Sequence, residues 1–434
     1  MARPKTPLPR EKIMATQLDP STIPVGCPMH AAGERFQPFE HDGMFEQLAE
    51  FRQNVPIFYA PQIGYWVVTR RDDVISVLRD HDRFSAVVAT QPVVPWPPEL
   101  LEYLADNDFT NESVQVACDP PRHTRVRSHV QGFLNPKKLQ SFEAEVRKIV
   151  QGYVEAMKGK DTVDLVDAIT YELPAMTAFL LLGVKDIDPR RIKAWTELRV
   201  KLMHGFPTRE EQMAAADDLL DFWRFSCDLV EQRKVNPGDD YPSWLLASRG
   251  GDDEKLTENE IKSLVFALLL AAHETTSNAS ANIILQLMRR PDNWNALVED
   301  PSLIPNAVEE GFRYCSSVVA WRRMAKENFE LGGVSLPAGT KLLLSLASAG
   351  RDEAAFEDGD TFDIRRKNAR SHVAFGNGIH FCMGAPIARM QVRMMLEELT
   401  AAFPKMSLVE DDPIEIAGVL TFRGPSRLPV KLDG

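Results

Sequence analysis

Apolar residues recur every three to four positions over much of the chain, which is the pattern of amphipathic helices. The pattern is clearest in four segments, residues 142–157, 173–182, 190–203 and 210–233. A different pattern, two short runs of aromatic and β-branched residues around Pro61 and Gly64, predicts a β-hairpin over residues 57–68. The sequence therefore predicts a mainly α fold with small β-sheets.

The longest predicted helix covers residues 258–290. Thr257 and Glu260 form a capping box at its start, in which each side chain satisfies a backbone N–H group, and Pro291 cannot continue the helix. At the usual rise per residue this helix is ~50 Å long and must cross the whole molecule. Residues 264–272 are apolar on every face, so we expect the helix to be buried there.

Two segments lack a regular pattern. Residues 1–35 are expected to be a flexible N-terminal tail. Residues 85–118 are expected to be irregular, because prolines interrupt them at 92, 95, 97 and 98, and a loop of that length usually carries function or is mobile. No internal repeat, low-complexity tract or glycine/serine linker divides the chain into independent units.

Charge and cysteine content narrow the class of protein. With 50 basic and 62 acidic side chains the net charge is −12, and this field repels phosphate, so we expect neither nucleic acid nor a membrane as partner. The longest apolar run, residues 264–272, is far shorter than the ~20 residues that span a bilayer, and the first twenty residues lack the apolar core of a signal peptide. The five cysteines contain no CxxC pair, which argues against a disulfide scaffold or zinc ribbon. We expect a cytoplasmic protein.

Polar residues interrupt the apolar centre of the long helix at His273-Glu274-Thr275-Thr276. In one interpretation Thr275 only bonds back to the carbonyl of Ala271, as threonines within helices often do. In the other, an acid and two hydroxyls enter a buried position together because they have a role that offsets their desolvation. A zinc-protease motif is excluded, because position 277 is serine and not the second histidine of HExxH.

A glycine-flanked loop at residues 375–384, Phe-Gly-Asn-Gly-Ile-His-Phe-Cys-Met-Gly, carries the most specific signal. It is not a dinucleotide-binding GxGxxG, because Phe381 occupies the position of the third glycine. A helical pattern follows the loop, so Cys382 is expected near a helix N-terminus, where the dipole and unpaired N–H groups stabilise a thiolate. A lone cysteine is more often a small buried hydrophobe, but this setting favours a cysteine presented to a large ligand.

With this loop the chain resembles the cytochrome P450 haem-thiolate monooxygenases over residues 39–430. Further matches to motifs of that family lie at residues 119–127, 271–276, 310–313, 323–325 and 362–366. The resemblance implies the cytochrome P450 fold, with residues 36–434 as one domain whose single core encloses haem b, and Cys382 as the iron ligand. Two positions depart from the usual pattern, Ala272 in place of glycine and Met383 in place of leucine.

The resemblance also assigns residues to the haem and to proton delivery. Cationic side chains would contact the anionic propionates, and the haem-contacting residues would be His123, Arg127, Arg323 and His380 together with Phe375, Gly376 and Ala271. Glu274 would relay protons on the distal side, and the Thr275 hydroxyl would hydrogen-bond the bound dioxygen.

A structural network is implied around the ExxR motif. Glu310 and Arg313 are three residues apart, a spacing that also suits an exposed pair of little energetic value. The resemblance instead implies a buried network with a further arginine, Arg366 or, as the alternative, Arg365. This network would hold the cysteine loop and would not take part in the chemistry.

Substrate and electron donor are predicted in outline. The expected substrate-facing residues are Val94, Trp96, Phe206, Ala267, Ala271, Val318, Val319 and Leu420, which predicts a small apolar or aromatic substrate. No flavin- or nicotinamide-binding segment and no iron–sulfur cysteine set is found, although residues 317–323 and 422–425 resemble haem domains of self-sufficient bacterial fusions. We therefore expect a separate ferredoxin-type donor, which would dock on a basic face formed by Arg122, Arg125, Lys137, Lys138, Arg389 and Arg393.

The resulting hypothesis is a haem-thiolate monooxygenase that inserts one atom of O2 into its substrate by hydroxylation or O-demethylation. One alternative is a peroxygenase that uses hydrogen peroxide directly, and the presence of both Glu274 and Thr275 argues against it. Another alternative is a non-catalytic haem-based sensor or carrier. Such a protein would not need the acid and hydroxyl pair and would be expected to carry an output module, which the sequence does not reveal.

Overall fold

A computed structural model describes residues 28–185, 187–410 and 412–432, and this part of the chain is mainly helical. The N-terminal helices are α1 Pro28–Arg35, α2 Met44–Asn54, α3 Arg71–Arg79, α4 Pro98–Asp106, α5 Arg122–Phe133, α6 Pro136–Met157, α7 Glu172–Leu182 and α8 Pro189–His204. The later helices are α9 Arg209–Ala214, α10 Ala216–Val235, α11 Tyr241–Arg249, α12 Glu258–Met288, α13 Pro291–Glu299, α14 Ile304–Tyr314, α15 Leu346–Ala349 and α16 Ala385–Ala402.

Short strands form small sheets beside the helices. The strands are β1 Ile57–Ala60, β2 Tyr65–Val68, β3 Phe84–Ser85, β4 Thr162–Asp164, β5 Ala320–Ala325, β6 Phe329–Leu331, β7 Val334–Leu336, β8 Lys341–Ser345, β9 Ser407–Leu408, β10 Ile416–Gly418, β11 Arg423–Pro425 and β12 Pro429–Lys431. The largest sheet has five strands in the order β1-β2-β8-β5-β3. β1 and β2 pair antiparallel with Ile57 opposite Val68, so the predicted hairpin is confirmed.

Helix α12 runs through the centre of the molecule, as the hydrophobic pattern predicts. Its capping box is present, since Thr257 Oγ1 accepts from the Glu260 N–H and the Glu260 carboxylate accepts from the Thr257 N–H. Its C-terminal half, from Ala279 onward, packs in one hydrophobic cluster with α14 and α16, and its N-terminal half packs in another with α7, α8 and α10. The helix therefore links the two largest parts of the core.

Three local predictions need correction. Residues 85–118 are not wholly irregular, because α4 lies within them; Pro98 starts this helix, and Leu100 and Leu104 form its buried face. The predicted helix over residues 210–233 is two helices, α9 and α10, which meet at Ala215. Residues 264–272 are not buried on every face, since Ala267 and Ala271 border an internal cavity.

The last eight residues of the predicted tail, Pro28–Arg35, form a helix. Residues 1–27 lie outside the described part of the chain, but α1 packs against the first sheet. Gly33 permits this contact, because a Cβ atom at that position would lie 1.9 Å from the Tyr59 carbonyl oxygen. Gln62 also donates to the Gly33 carbonyl at 3.0 Å. Within the described residues, no helix combines the length and apolar character that crossing a membrane requires.

Candidate functional site

The cysteine loop, residues 375–384, leads directly into α16. The Cys382 N–H donates to the Phe375 carbonyl at 2.9 Å and closes the loop. Gly376 and Gly378 both have φ near +70°, a conformation that other residues adopt at a cost. At Gly378 a Cβ atom would also lie 2.5 Å from the Leu78 carbonyl oxygen. The glycines therefore let the loop turn tightly while α3 supports it from behind.

The Cys382 side chain lines the internal cavity and is exposed to that space. Burial is the largest influence and raises the pKa of the Cys382 thiol. The backbone N–H groups of Gly384 and Ala385 act in the opposite direction, as do the charges of Arg127 and Arg389. These donors are the ones that a thiolate at a helix N-terminus would use.

Helix α12 forms the wall of the same cavity with Ala267, Ala271, Glu274 and Thr275. The Thr275 hydroxyl donates to the Ala271 carbonyl at 3.0 Å, as the first interpretation of this residue expects. This bond uses the hydroxyl hydrogen but leaves oxygen lone pairs free to accept from the cavity. The two interpretations are therefore compatible.

Glu274 is a partly buried acid whose Oε2 atom is buried and unused. Asn278 Nδ2 donates to Glu274 Oε1 at 3.2 Å, and Glu274 Oε2 has no hydrogen-bond partner among the described residues. Burial, reinforced by the nearby Glu197 carboxylate, raises the pKa of Glu274 to about 7. Such a carboxyl group can both donate and accept a proton near neutral pH.

His273 belongs to the scaffold and not to the cavity. Its side chain is fully buried, with Nε2 3.0 Å from the Tyr171 carbonyl oxygen and Nδ1 3.1 Å from Thr196 Oγ1. Burial is the main cause that lowers the pKa of His273 to about 4, so the ring is neutral at pH 7. It ties α12 to α8 and to the segment before α7.

A cationic cluster lies at another side of the cavity. Arg127, Arg323 and His380 line it, and the buried ring of His123 lies 4.3 Å from that of His380, centroid to centroid. Both ring nitrogens of His123 and Nδ1 of His380 are buried without a partner among the described residues. Burial, followed by the charge of Arg323, lowers the pKa of His380 to about 3.

This cluster is a test of whether haem fits the site. Buried donors that lack acceptors are costly, and the two propionates of haem are anionic acceptors of the kind that arginine and histidine bind. Phe375, Gly376 and Ala271 border the same cavity as Cys382. The residues present therefore fit haem, because Cys382, two arginines and His380 border one space.

The ExxR network is fully buried. Arg313 makes two hydrogen bonds to the Glu310 carboxylate, at 2.6 and 2.7 Å, and neither side chain is exposed. Arg366 Nε donates to Glu310 at 3.2 Å, whereas Arg365 is exposed. The sequence left Arg366 and Arg365 as alternatives for the third member of the network, and Arg366 is the one that contacts Glu310.

Arg313 and Arg366 also brace the segment that precedes the cysteine loop. Arg313 donates to the carbonyls of Gly350, Gly359 and Thr361, and Arg366 donates to the carbonyls of Glu357, Asp358 and Thr361. None of the three network side chains borders the cavity, since they lie behind it. Their arrangement is structural.

A second carboxylate, Glu309, was missed by sequence reasoning. It accepts hydrogen bonds from His372, Arg370 and Arg389, and so joins α14 to the start of the loop and to α16. Burial alone would raise the pKa of Glu309, but hydrogen bonds from His372, Arg389 and Arg370 lower it to about 2. The one signal in the sequence was that Glu309 adjoins Glu310 of the ExxR motif. Its partners could not be identified from the sequence because they lie more than 60 residues away.

The cavity has a volume of about 990 Å³ and a largely apolar lining. Of the expected substrate-facing residues, Trp96, Ala267, Ala271 and Val318 line it. Phe312, Trp321 and Phe422 also line it and were not anticipated. Their side chains come from α14, β5 and the loop before β11, and no local pattern shows that these three elements meet.

Four of the expected residues do not line the cavity. Phe206 is 67% exposed and packs on Phe39, because the chain leaves α8 at Gly205. Val319 and Leu420 are buried in a separate hydrophobic cluster. Val319 follows Val318 in extended chain, where successive side chains point to opposite sides. Val94 is partly buried, and its carbonyl accepts from Gln212.

Most of the cations proposed for a basic docking face are paired with acids of this chain. Arg122 and Arg125 bind Glu260, and Lys138 pairs with Asp239. Arg389 binds Glu309, and Arg393 binds Glu143 and Glu397. Lys137 is exposed, with no ion pair to other described residues. Any such face is therefore less positive than the sequence suggests.

Comparison with known proteins gives a consistent result. A family model described as Cytochrome P450 matches residues 41–422. The 6-deoxyerythronolide B hydroxylase of Saccharopolyspora erythraea is 32% identical over 406 residues, which cover 91% of this chain and 97% of that protein.

Three solved structures have similar folds. Cytochrome P450 CREJ in complex with (4-ethylphenyl) dihydrogen phosphate has a TM-score of 0.89 and 37% identity, covering 92% of this chain and 99% of that chain. Full-length CYP116B46 from Tepidiphilus thermophilus has a TM-score of 0.89 and 33% identity, covering 94% of this chain and 54% of that chain. An intact type IV self-sufficient cytochrome P450 monooxygenase has a TM-score of 0.89 and 36% identity, covering 97% of this chain and 55% of that chain, and supports the likeness to self-sufficient fusions.

Proposed function

This chain belongs to the cytochrome P450 family and is a haem b monooxygenase, and we propose that it hydroxylates or O-demethylates a small apolar or aromatic substrate. We also propose that a separate ferredoxin-type protein supplies the electrons. The observation that carries the proposal is that Cys382 and the Glu274–Thr275 pair border one cavity. The resemblance of the motifs supports the same assignment.

Each part of the site has a distinct task in this proposal. Bound haem supplies the activation of O2, and a cysteine thiolate on its iron favours cleavage of the O–O bond. Cys382 would be that ligand, and His123, Arg127, Arg323 and His380 would hold the propionates. The unpartnered ring nitrogens of His123 and His380 support this assignment.

Glu274 and Thr275 would manage protons on the other side of the cavity. Glu274, with a pKa of about 7 and a free Oε2 atom, can take a proton from solvent and pass it on. The Thr275 hydroxyl, fixed by its bond to the Ala271 carbonyl, can accept a hydrogen bond without moving. The apolar walls limit the entry of water, which would otherwise divert the oxidation.

The lining supports an apolar or aromatic substrate. Ala267, Leu268, Val318 and Phe422 offer apolar surface near the proton-delivery pair, and cavities of this kind bind ligands mainly through apolar contact. The structure of CREJ holds an ethylphenyl compound, and the name of the Saccharopolyspora erythraea relative records a hydroxylase. Both support oxidation of an organic substrate here.

The proposal is tested by reconstitution of the haem-loaded protein with ferredoxin, ferredoxin reductase and NADPH under isotopically labelled O2. We expect one labelled oxygen atom in the product, and much less product when hydrogen peroxide replaces the electron-transfer proteins. Efficient turnover with peroxide alone would favour the peroxygenase. Absence of product from any substrate in a screen of small aromatic and alkyl compounds would favour a sensor or carrier.

The Thr275→Ala variant tests the proton-delivery role. Because this variant loses the fixed hydroxyl, we expect about 10-fold less product for each electron consumed and a matching rise in hydrogen peroxide. Thr275→Ser retains a hydroxyl and serves as the control, with coupling close to that of the parent protein. Unchanged coupling in Thr275→Ala would refute the role.

A further inference from the structure

Arg199, on α8, is a buried cation without a counterion. Its side chain is 8% exposed and borders the cavity. Its Nε and Nη1 atoms are buried without a hydrogen-bond partner, and no ion pair joins it to any carboxylate in residues 28–185, 187–410 or 412–432. The guanidinium lies over the Phe266 ring, with its central carbon 4.2 Å from the ring centroid.

The surroundings of Arg199 add positive charge and do not offset it. His204 is buried, and burial, followed by the charges of Arg322 and Arg199, lowers its pKa well below the usual value. Arg322 donates to the carbonyls of Gln91 and Ala89 and lies 3.2 Å from His204 Nδ1. Two guanidinium groups therefore flank a neutral imidazole, and neither has an ion pair with a carboxylate in the described residues.

Arg199 stays charged despite its burial. Burial lowers its pKa to about 10, which is still far above neutral pH. An unpaired charge held away from water is strongly unfavourable, and a structural arginine is normally paired, as Arg313 is with Glu310. Residues 28–185, 187–410 and 412–432 provide no such partner for Arg199, so a ligand in the cavity is the natural source of one.

The haem propionates are not that partner. They have their own donors in Arg127, Arg323 and His380. Phe266, under the Arg199 guanidinium, precedes Thr275 by nine residues on α12, which is about 13 Å along the helix axis. Arg199 therefore lies toward the N-terminal end of α12, away from the proton-delivery pair.

We propose that Arg199 binds an anionic group, a carboxylate or a phosphate ester, at the end of the substrate remote from the carbon that is oxidised. That the bound anion is a substrate rests on the proposed function, whereas the anion-binding site itself does not. Guanidinium and these oxyanions form paired, charge-assisted hydrogen bonds. Trp96 supplies another buried donor to the cavity, because its Nε1 atom has no partner among the residues described. The substrate would then be an amphiphile with an apolar body and one anionic end.

Calorimetric titration of the haem-loaded protein, without any electron donor, tests the inference separately from turnover. The probes share one skeleton: 4-butylbenzoate, 4-butylphenyl phosphate and the neutral 4-butylbenzamide. We expect at least one anion to bind about 10-fold or more tightly than the amide. Comparison of the benzoate with the phosphate shows which oxyanion the site prefers. Equal binding of the amide and both anions would overturn the inference.

The Arg199→Gln variant assigns any such preference to this residue. We expect it to weaken binding of the preferred anion about 10- to 100-fold and to change binding of the amide less than 2-fold. Arg199→Lys keeps the positive charge but cannot form the paired hydrogen bonds of a guanidinium, so it should retain part of the affinity. The matched control is Arg190→Gln on the same helix, whose parent side chain is 81% exposed, and it should bind as the parent does. An equal loss for all three probes in Arg199→Gln would refute the assignment.

The two proposals fail in different ways. If the anion binds through Arg199 but is not oxidised with any electron donor, the proposed reaction is wrong while the anion site stands. If neutral substrates are oxidised and the anions bind no more tightly than the amide, the anion site is wrong while the monooxygenase assignment stands.

Discussion

At the scale of single residues, ionisation of Glu274 is coupled to folding. Burial and the neighbouring Glu197 raise the pKa of Glu274 from 4.5 to about 7. Between these two values the unfolded chain has released the proton while the folded chain retains it. The free energy of unfolding therefore falls as the pH rises through this window. The carboxyl group that would transfer protons therefore lowers the free energy of unfolding at neutral and higher pH.

The Glu274→Gln variant should remove this dependence. At pH 8 we expect its free energy of unfolding to exceed that of the parent by about 1 to 3 kcal/mol, whereas at pH 5 the gain should be under about 1 kcal/mol. Denaturant unfolding of both haem-loaded proteins at the two pH values measures this. The exposed Glu102 on α4 provides the control, since Glu102→Gln is a surface substitution that should change the free energy of unfolding by less than about 0.5 kcal/mol. A gain in Glu274→Gln that is equal at both pH values would contradict the assigned pKa.

The residues that belong to motifs could be predicted from the sequence, but the tertiary environment of residues outside the motifs could not. Arg366 was named before Arg365, and the structure places it on Glu310. Phe206 and Arg199 show the limit. Both lie in or just after α8, and only tertiary packing decides that Phe206 points outward while Arg199 borders the cavity.

At the scale of elements, α14 and the segment before the cysteine loop are held together by buried charge. Glu310 binds both Arg313 and Arg366, and the two arginines donate to backbone carbonyls of the segment. Loss of one member leaves the others buried and uncompensated, which is the costly case for buried ion pairs. The cysteine loop should therefore lose its support when either arginine is removed.

The neighbouring arginines allow a matched test of this network. Arg366→Leu should lower the free energy of unfolding by about 3 kcal/mol and weaken haem retention. Arg365→Leu, one position away on the surface, should change the free energy by less than about 0.5 kcal/mol. Chemical denaturation gives the first quantity, and transfer of haem to apomyoglobin gives the second. Similar effects of the two substitutions would refute the network's role.

Elements with strong, continuous patterns were predictable, whereas their interruptions were not. The capping box and Pro291 placed the ends of α12 to within two residues of the observed Glu258–Met288. Helix α4 was missed because four prolines surround its start, although a proline in the first turn suits a helix. The break between α9 and α10 leaves no proline or glycine as a signal.

At the scale of the whole molecule, the fold brings α12, the cysteine loop and α8 around one cavity from distant parts of the chain. The net charge of −12 does not show where the cations lie, and many of the arginines expected on a basic face are paired with acids of this chain. The motifs could predict the family, and Cys382 as the iron ligand stays a prediction. The motifs could not predict the shape of the cavity, because Trp96, Arg199 and Phe422 meet only after folding.

The central claim is that Cys382 is the haem ligand, and the absorption spectrum of the reduced, CO-bound protein tests it most directly. The resemblance to cytochrome P450 implies a red-shifted band for a thiolate ligand. We expect this band in the parent protein and in a Cys227→Ser control, whose cysteine lies on α10 outside the cavity. We expect Cys382→Ser to lose the band while retaining its helical content. A red-shifted band that persists in Cys382→Ser would contradict the account.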